Sequence, residues 1–82
     1  MSEQRGDVRA LIEQIAKWLV DDPAQVSVTQ TDGATTVFEL TVAEKDMGKV
    51  IGRSGRVARA LRALVGATGV RPQKRFELEI LE

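Results

Sequence analysis

The stretch Gly48-Lys49-Val50-Ile51-Gly52-Arg53-Ser54-Gly55-Arg56-Val57-Ala58-Arg59 sets two glycines three residues apart with arginine close by on either side. Glycine lets a chain turn sharply and lets a ligand come close where a Cβ would otherwise stand. If one helix ends at Gly52 and the next begins after Gly55, the second presents unpaired N–H groups to the loop, and its dipole favours an anion there. Arg53 and Arg56 add charge and forked donors that suit phosphate. Lys49 lies one turn upstream and joins the expected contacts; Arg59, one turn downstream, ranks behind Arg53 and Arg56. The chemistry on offer is the grip of a phosphate by backbone amides and cations. A nucleotide-binding P-loop is excluded, because its Gly-Lys-Ser/Thr ending is missing. Gly48 and Gly52 also spell GxxxG, but the intervening Lys49 and the lack of an apolar span make helix pairing in lipid irrelevant.

Bond-making chemistry has little to work with. The 82 residues include no histidine, cysteine or tyrosine, which removes imidazole proton transfer, thiolate nucleophiles and Cys/His metal clusters. The carboxylates are scattered over strands and helix ends. Neither an enzyme nor a cofactor or metal is expected. The absence of cysteine agrees with a reducing compartment. Residues 1–7 carry no apolar signal segment and no run is long enough to cross a bilayer, so the cytoplasm is the expected location. The net charge of zero argues at first against a polyanion partner. That average hides a division: from Lys45 to Arg62 the chain holds Lys45, Lys49, Arg53, Arg56, Arg59 and Arg62 against Asp46 alone, a local excess of five.

The elements that must carry this loop follow from periodicity. Leu11, Ile12, Ile15, Ala16, Leu19 and Val20 recur at helical spacing after the potential cap Asp7, and Asp21-Asp22-Pro23 stops them, which predicts a helix over about 8–20. Trp18, beside this stripe, is expected to pack at least partly into the core. Val26 to Thr31 is β-prone, Asp32-Gly33 supplies a turn, and Val37 to Val42 places Phe38, Leu40 and Val42 on one face, predicting a hairpin. Asp46 reads as the N-cap of a short helix, Met47 to Ile51, ending at Gly52. The helix after Gly55 places Val57, Leu61, Leu64 and Val65 inward and Arg56, Arg59 and Arg62 outward, with Gly66 and Gly69 ending it. Phe76, Leu78 and Ile80 alternate with Glu77 and Glu79 in a last strand, which a helical crossover would place parallel to the second strand. The expected fold is α+β, in the order α-β-β-α-α-β, with a three-stranded mixed sheet covered on one face by helices. The length suits one domain over residues 1–82, with 1–6 as a flexible N-terminus.

Ile51-Gly52-Arg53-Ser54-Gly55, with Val57 and Leu61 behind it, resembles the KH family's Ile-Gly-x-x-Gly signature. The element order looks like the type II, bacterial version. The resemblance covers nearly the whole chain, including Leu19-Val20-Asp21-Asp22-Pro23, and is nearest to the small stand-alone KH proteins of the KhpA/YlqC group. It implies a grip on about four nucleotides of single-stranded RNA, with the backbone on Gly52 to Gly55 and the bases in an apolar groove. By that analogy Val50, Ile51, Val57 and Ala58 line the groove together with Phe38 or Leu40, residues that otherwise read as core. Acidic loop residues abolish RNA binding in the family, and this loop has none. The resemblance also implies a small RNA chaperone or post-transcriptional regulator, and pairing as a homodimer or with a KH protein of the KhpB/Jag type. An interaction module with RNA binding secondary is the alternative. Arg62, Arg71, Lys74 and Arg75 either extend the basic surface or are simply solvated. The sheet's outer face, with Glu39, Glu77 and Glu79, would repel RNA.

Overall fold

The structure is a computed structural model that describes residues 7–81; the flexible N-terminus expected at 1–6 lies outside them. Helix α1 spans Val8–Leu19, and Asp7 caps it by accepting the Ala10 N–H at 3.1 Å. Strands β1 (Ser27–Thr31) and β2 (Thr35–Thr41) form the antiparallel hairpin, α2 (Met47–Ile51) and α3 (Arg56–Thr68) flank the glycine loop, and β3 (Arg75–Ile80) closes the order. The sheet runs β1-β2-β3, with β2 and β3 parallel in the register Thr35↔Arg75 to Leu40↔Ile80. The α-β-β-α-α-β order and the parallel closing strand are as the sequence predicts.

Alternation sorts the sheet into two faces. Phe38, Leu40 and Leu78 are buried under the helices, and Phe38 meets Phe76 edge to face at 5.5 Å. Against them α1 lays Val8, Ile12 and Ala16, α2 lays Val50, and α3 lays Leu61 and Val65. The opposite face carries Glu39 and Glu79 as direct register partners with Glu77 beside them, which leaves acid where water is.

Three expectations about side chains and ends are corrected. Trp18 is 74% exposed: the core stripe of α1 runs through positions 8, 12, 16 and 20, and position 18 falls outside it. Leu11 and Leu64, read as inward, are also exposed, because each helix buries a narrower stripe than its apolar residues span. Gly66 sits inside α3, which runs on to Thr68 before Gly69 caps it; nothing at Gly66 forces an end.

Candidate functional site

The loop is built by a halt and a restart. Helix α2 ends where the Gly52 N–H donates to the Gly48 carbonyl at 2.9 Å, and Gly52 then turns to φ 76°, ψ 171°. That region is essentially reserved for glycine. A Cβ there would lie 2.4 Å from Val57 Cγ2 and 2.9 Å from Val57 N. The missing side chain thus makes room for the protein's own Val57, a packing role beyond the approach of a ligand that the sequence suggests. Gly55, at φ 74°, ψ 15°, lies in the left-handed region and so does Ser54, at φ 57°, ψ 23°.

Part of the expected set of helix N-terminal amides is already occupied. A tight 3₁₀ turn over Arg53–Gly55 consumes part of it: the Gly55 N–H donates to Gly52 O at 3.1 Å, and the Arg56 N–H to Arg53 O. No hydrogen-bonded turn spans Gly52, so the N–H groups of Arg53 and Ser54 find no carbonyl in the turn before them. Donors left over at a helix end seek water or a ligand. The loop itself therefore contributes two available amides, those of Arg53 and Ser54.

Charge gathers around these two amides. Arg53, Ser54, Arg56 and Arg59 are exposed, while Gly52, Gly55, Ile51 and Val57 are half-buried. Among the described residues no carboxylate lies within 4 Å of Arg53, Arg56, Arg59 or Arg62. Arg59 reaches back along α3, and its Nη1 donates to Ser54 O at 3.0 Å. Lys49 behaves differently. Its ammonium is 3.4 Å from Asp21 Oδ2 and 3.7 Å from Asp46 Oδ1, so much of its charge is already answered by the protein.

The groove expected behind the loop is largely closed. Val50 and Leu40 are 0% exposed, and Ala58 and Phe38 are buried. A side chain without surface cannot touch a base, and these four hold the core beneath the loop. Of the apolar residues expected in the groove, Ile51 and Val57 keep surface beside the glycines.

Asp46 is where local reasoning misses a long-range link. It precedes α2 but makes no cap there; its side chain is wholly buried and accepts the N–H groups of Asp21 at 3.3 Å and Asp22 at 3.1 Å. The carboxylate thereby pins the exit of α1 to the entry of the loop's first helix. Burial by itself would raise its pKa, but the two backbone donors and the ammonium groups of Lys49 and Lys45 outweigh it and hold the carboxyl below the ordinary aspartate value. A depressed pKa in the folded state contributes stability above the unfolded value of 3.8 that is lost as pH falls through the folded one. The melting midpoint should accordingly drop on acidification below that value. Asp46→Asn, which keeps one acceptor and turns its amide NH2 towards the other N–H, should lower the midpoint at neutral pH by roughly 5–15 °C and flatten the acid dependence. A thermal melt series across pH 2–7 checks both; an unchanged midpoint at neutral pH would mean that the link is dispensable.

Comparison with known proteins agrees with this architecture. Residues 9–80 match the family model described as "KhpA/KhpB, KH domain". The RNA-binding protein KhpA of Borreliella burgdorferi is 43% identical over 81 residues, covering 98% of this chain and 99% of that protein. The RNA-binding protein KhpA of Clostridium acetobutylicum is 45% identical over 75 residues, covering 90% and 100%, and that of Treponema pallidum 48% over 73 residues, covering 88% and 91%. Among solved structures, a crystal structure of an Aquifex aeolicus Era variant bound to GDP.AlF4- superposes on 88% of this chain and 28% of that one, with a TM-score of 0.59 at 16% identity. A likeness at that identity speaks for the fold alone. Among the described residues no helix is long and apolar enough to cross a membrane.

Proposed function

Because the chain belongs to the KhpA/KhpB KH-domain family, we propose that it acts as one KH domain that holds single-stranded RNA at Gly52 to Gly55. The phosphate backbone meets the N–H groups of Arg53 and Ser54 and the guanidinium groups of Arg53 and Arg56. Ile51 and Val57 offer the bases an apolar border. The observation that carries this reading is the pair of loop amides without an acceptor in the preceding turn, set among arginines that no carboxylate of the described residues neutralises. Such a site has donors and charge to spare for an anion, and nothing in it makes or breaks a bond. Lys49 adds less than its position suggests, since Asp21 and Asp46 hold it. The acidic sheet face steers a polyanion to the helical side.

Electrostatic binding to a single strand weakens with salt, with a slope of about 0.7 in log K against log salt for each phosphate neutralised. A site of this size should give a slope of roughly 1.5–3. Fluorescence anisotropy of a labelled short oligonucleotide, titrated at several salt concentrations, measures it. A flat line would remove phosphate contact from the account.

A contact of about four nucleotides binds weakly, and pairing of two such sites multiplies affinity through effective concentration. The reading therefore extends to a homodimer, or a heterodimer with a KH protein of the KhpB type, working as a small RNA chaperone or post-transcriptional regulator in the cytoplasm. Exposed Leu11 and Trp18 on α1 support a protein contact, because Arg9, Glu13 and Lys17 on the same helix answer one another's charge at 3.4 and 3.3 Å. An apolar strip with balanced charge suits protein better than polyanion. Sedimentation of wild type and Trp18→Ser at increasing concentration tests it, and identical monomer profiles throughout would count against self-pairing by this strip.

A further inference from the structure

Resting on the reading of the loop as a phosphate grip, we infer that Arg59 is a positioning residue that works through the Ser54 carbonyl and shapes the loop, without itself meeting the RNA. The peptide unit between Ser54 and Gly55 is pinned at both ends. Its N–H donates to Gly52 O at 3.1 Å, and its carbonyl accepts Arg59 Nη1 at 3.0 Å. This matters because Ser54 stands in the left-handed region, at φ 57°, where a residue with a Cβ stays only when its surroundings hold it. Released, Ser54 would relax towards ordinary backbone angles. The N–H groups of Arg53 and Ser54, which precede the pinned peptide, would then be reoriented.

Electrostatics fit this role. A carbonyl oxygen at the edge of an anion site repels the anion, and a guanidinium seated on it cancels that repulsion where it arises. Gly55 leaves the arginine's path open but is not required for it: a Cβ there would stand 3.4 Å from Arg59 Nη1, an ordinary contact, and what calls for glycine at this position is its left-handed backbone.

The role separates from direct contact by the form of the salt dependence. Arg59→Met and, for comparison, Arg56→Met are each titrated with a labelled short oligonucleotide over a range of salt, and the ¹H–¹⁵N spectrum of each RNA-free variant is recorded. For Arg59→Met the expected result is about tenfold weaker binding at every salt, on a line parallel to wild type, together with displaced Arg53, Ser54 and Gly55 amides in the free protein. For Arg56→Met the slope should fall by about 0.7 and the free loop should stay unmoved. A slope that falls by about 0.7 for Arg59→Met with unmoved loop amides, or an unchanged affinity, overturns the inference. Should wild type itself show no binding at the loop, the RNA reading fails; the RNA-free spectra still decide whether Arg59 holds Ser54.

Discussion

Replacing Arg53 and Ser54 together by aspartate is expected to weaken single-stranded RNA binding about 100-fold or more while leaving the melting transition in place. The Arg53 guanidinium contact that is lost contributes about 1.5–3 kcal/mol, and every 1.4 kcal/mol is about a tenfold change. The backbone N–H groups stay, but two new carboxylates turn a cationic loop into an anionic one facing a phosphate chain, which accounts for the remainder. The fold should survive for local reasons. Both side chains are exposed, and aspartate is among the residues that tolerate the left-handed angles held by Ser54. Anisotropy titrations alongside thermal melts separate the two effects. An affinity unchanged in a folded double variant would place RNA elsewhere.

The second large effect is an inequality between the two glycines. Gly52→Ala should cost at least about 3 kcal/mol of stability, because the residue sits in a region closed to side chains and its new methyl would meet Val57 Cγ2 at 2.4 Å and the Val57 backbone at 2.9 Å. Backbone cannot step aside as a flexible side chain can. Gly55→Ala faces only the tip of Arg59 at 3.4 Å, so its cost is the left-handed backbone alone, about 1–2 kcal/mol. Urea unfolding of both variants checks the order. If Gly55→Ala proved the more destabilising, the assignment of Gly52 to intramolecular packing would be wrong.

What the sequence reveals and what it hides divide along a physical line. Element order, the α2 boundaries and the parallel β2–β3 pairing follow from periodicity and turn chemistry, which are properties of neighbours in the chain. Phe38, Leu40 and Leu78 alternate inward as their spacing demands. The miss at Trp18 has the same origin as these successes: a large apolar side chain next to a stripe reads as core, yet helix rotation decides whether it faces the sheet. Asp46 shows the limit more sharply. Before a helix an aspartate reads as a cap by local rules, whereas its actual partners lie 24 and 25 residues away, and no short-range pattern announces them.

The loop was legible as a candidate site, but its internal packing was not. Two glycines between helices, ringed by arginine, announce anion chemistry. That Gly52 yields to Val57, that a 3₁₀ turn consumes the amides of Gly55 and Arg56, and that Lys49 is shared with Asp21 and Asp46 depend on distances that spacing does not encode. Val50 and Ala58, which by analogy lined the groove, are the floor under the loop.

The central claim is that the Arg53 and Ser54 amides receive the phosphate of an unpaired strand. Titration of ¹⁵N-labelled protein with short random RNA oligonucleotides tests it residue by residue. The largest shifts are expected at Arg53 and Ser54, lesser ones at residues 51 and 55–57, and none at Glu39, Glu77 or Glu79. Shifts centred on the sheet face, or on α1 with the loop amides still, would contradict it.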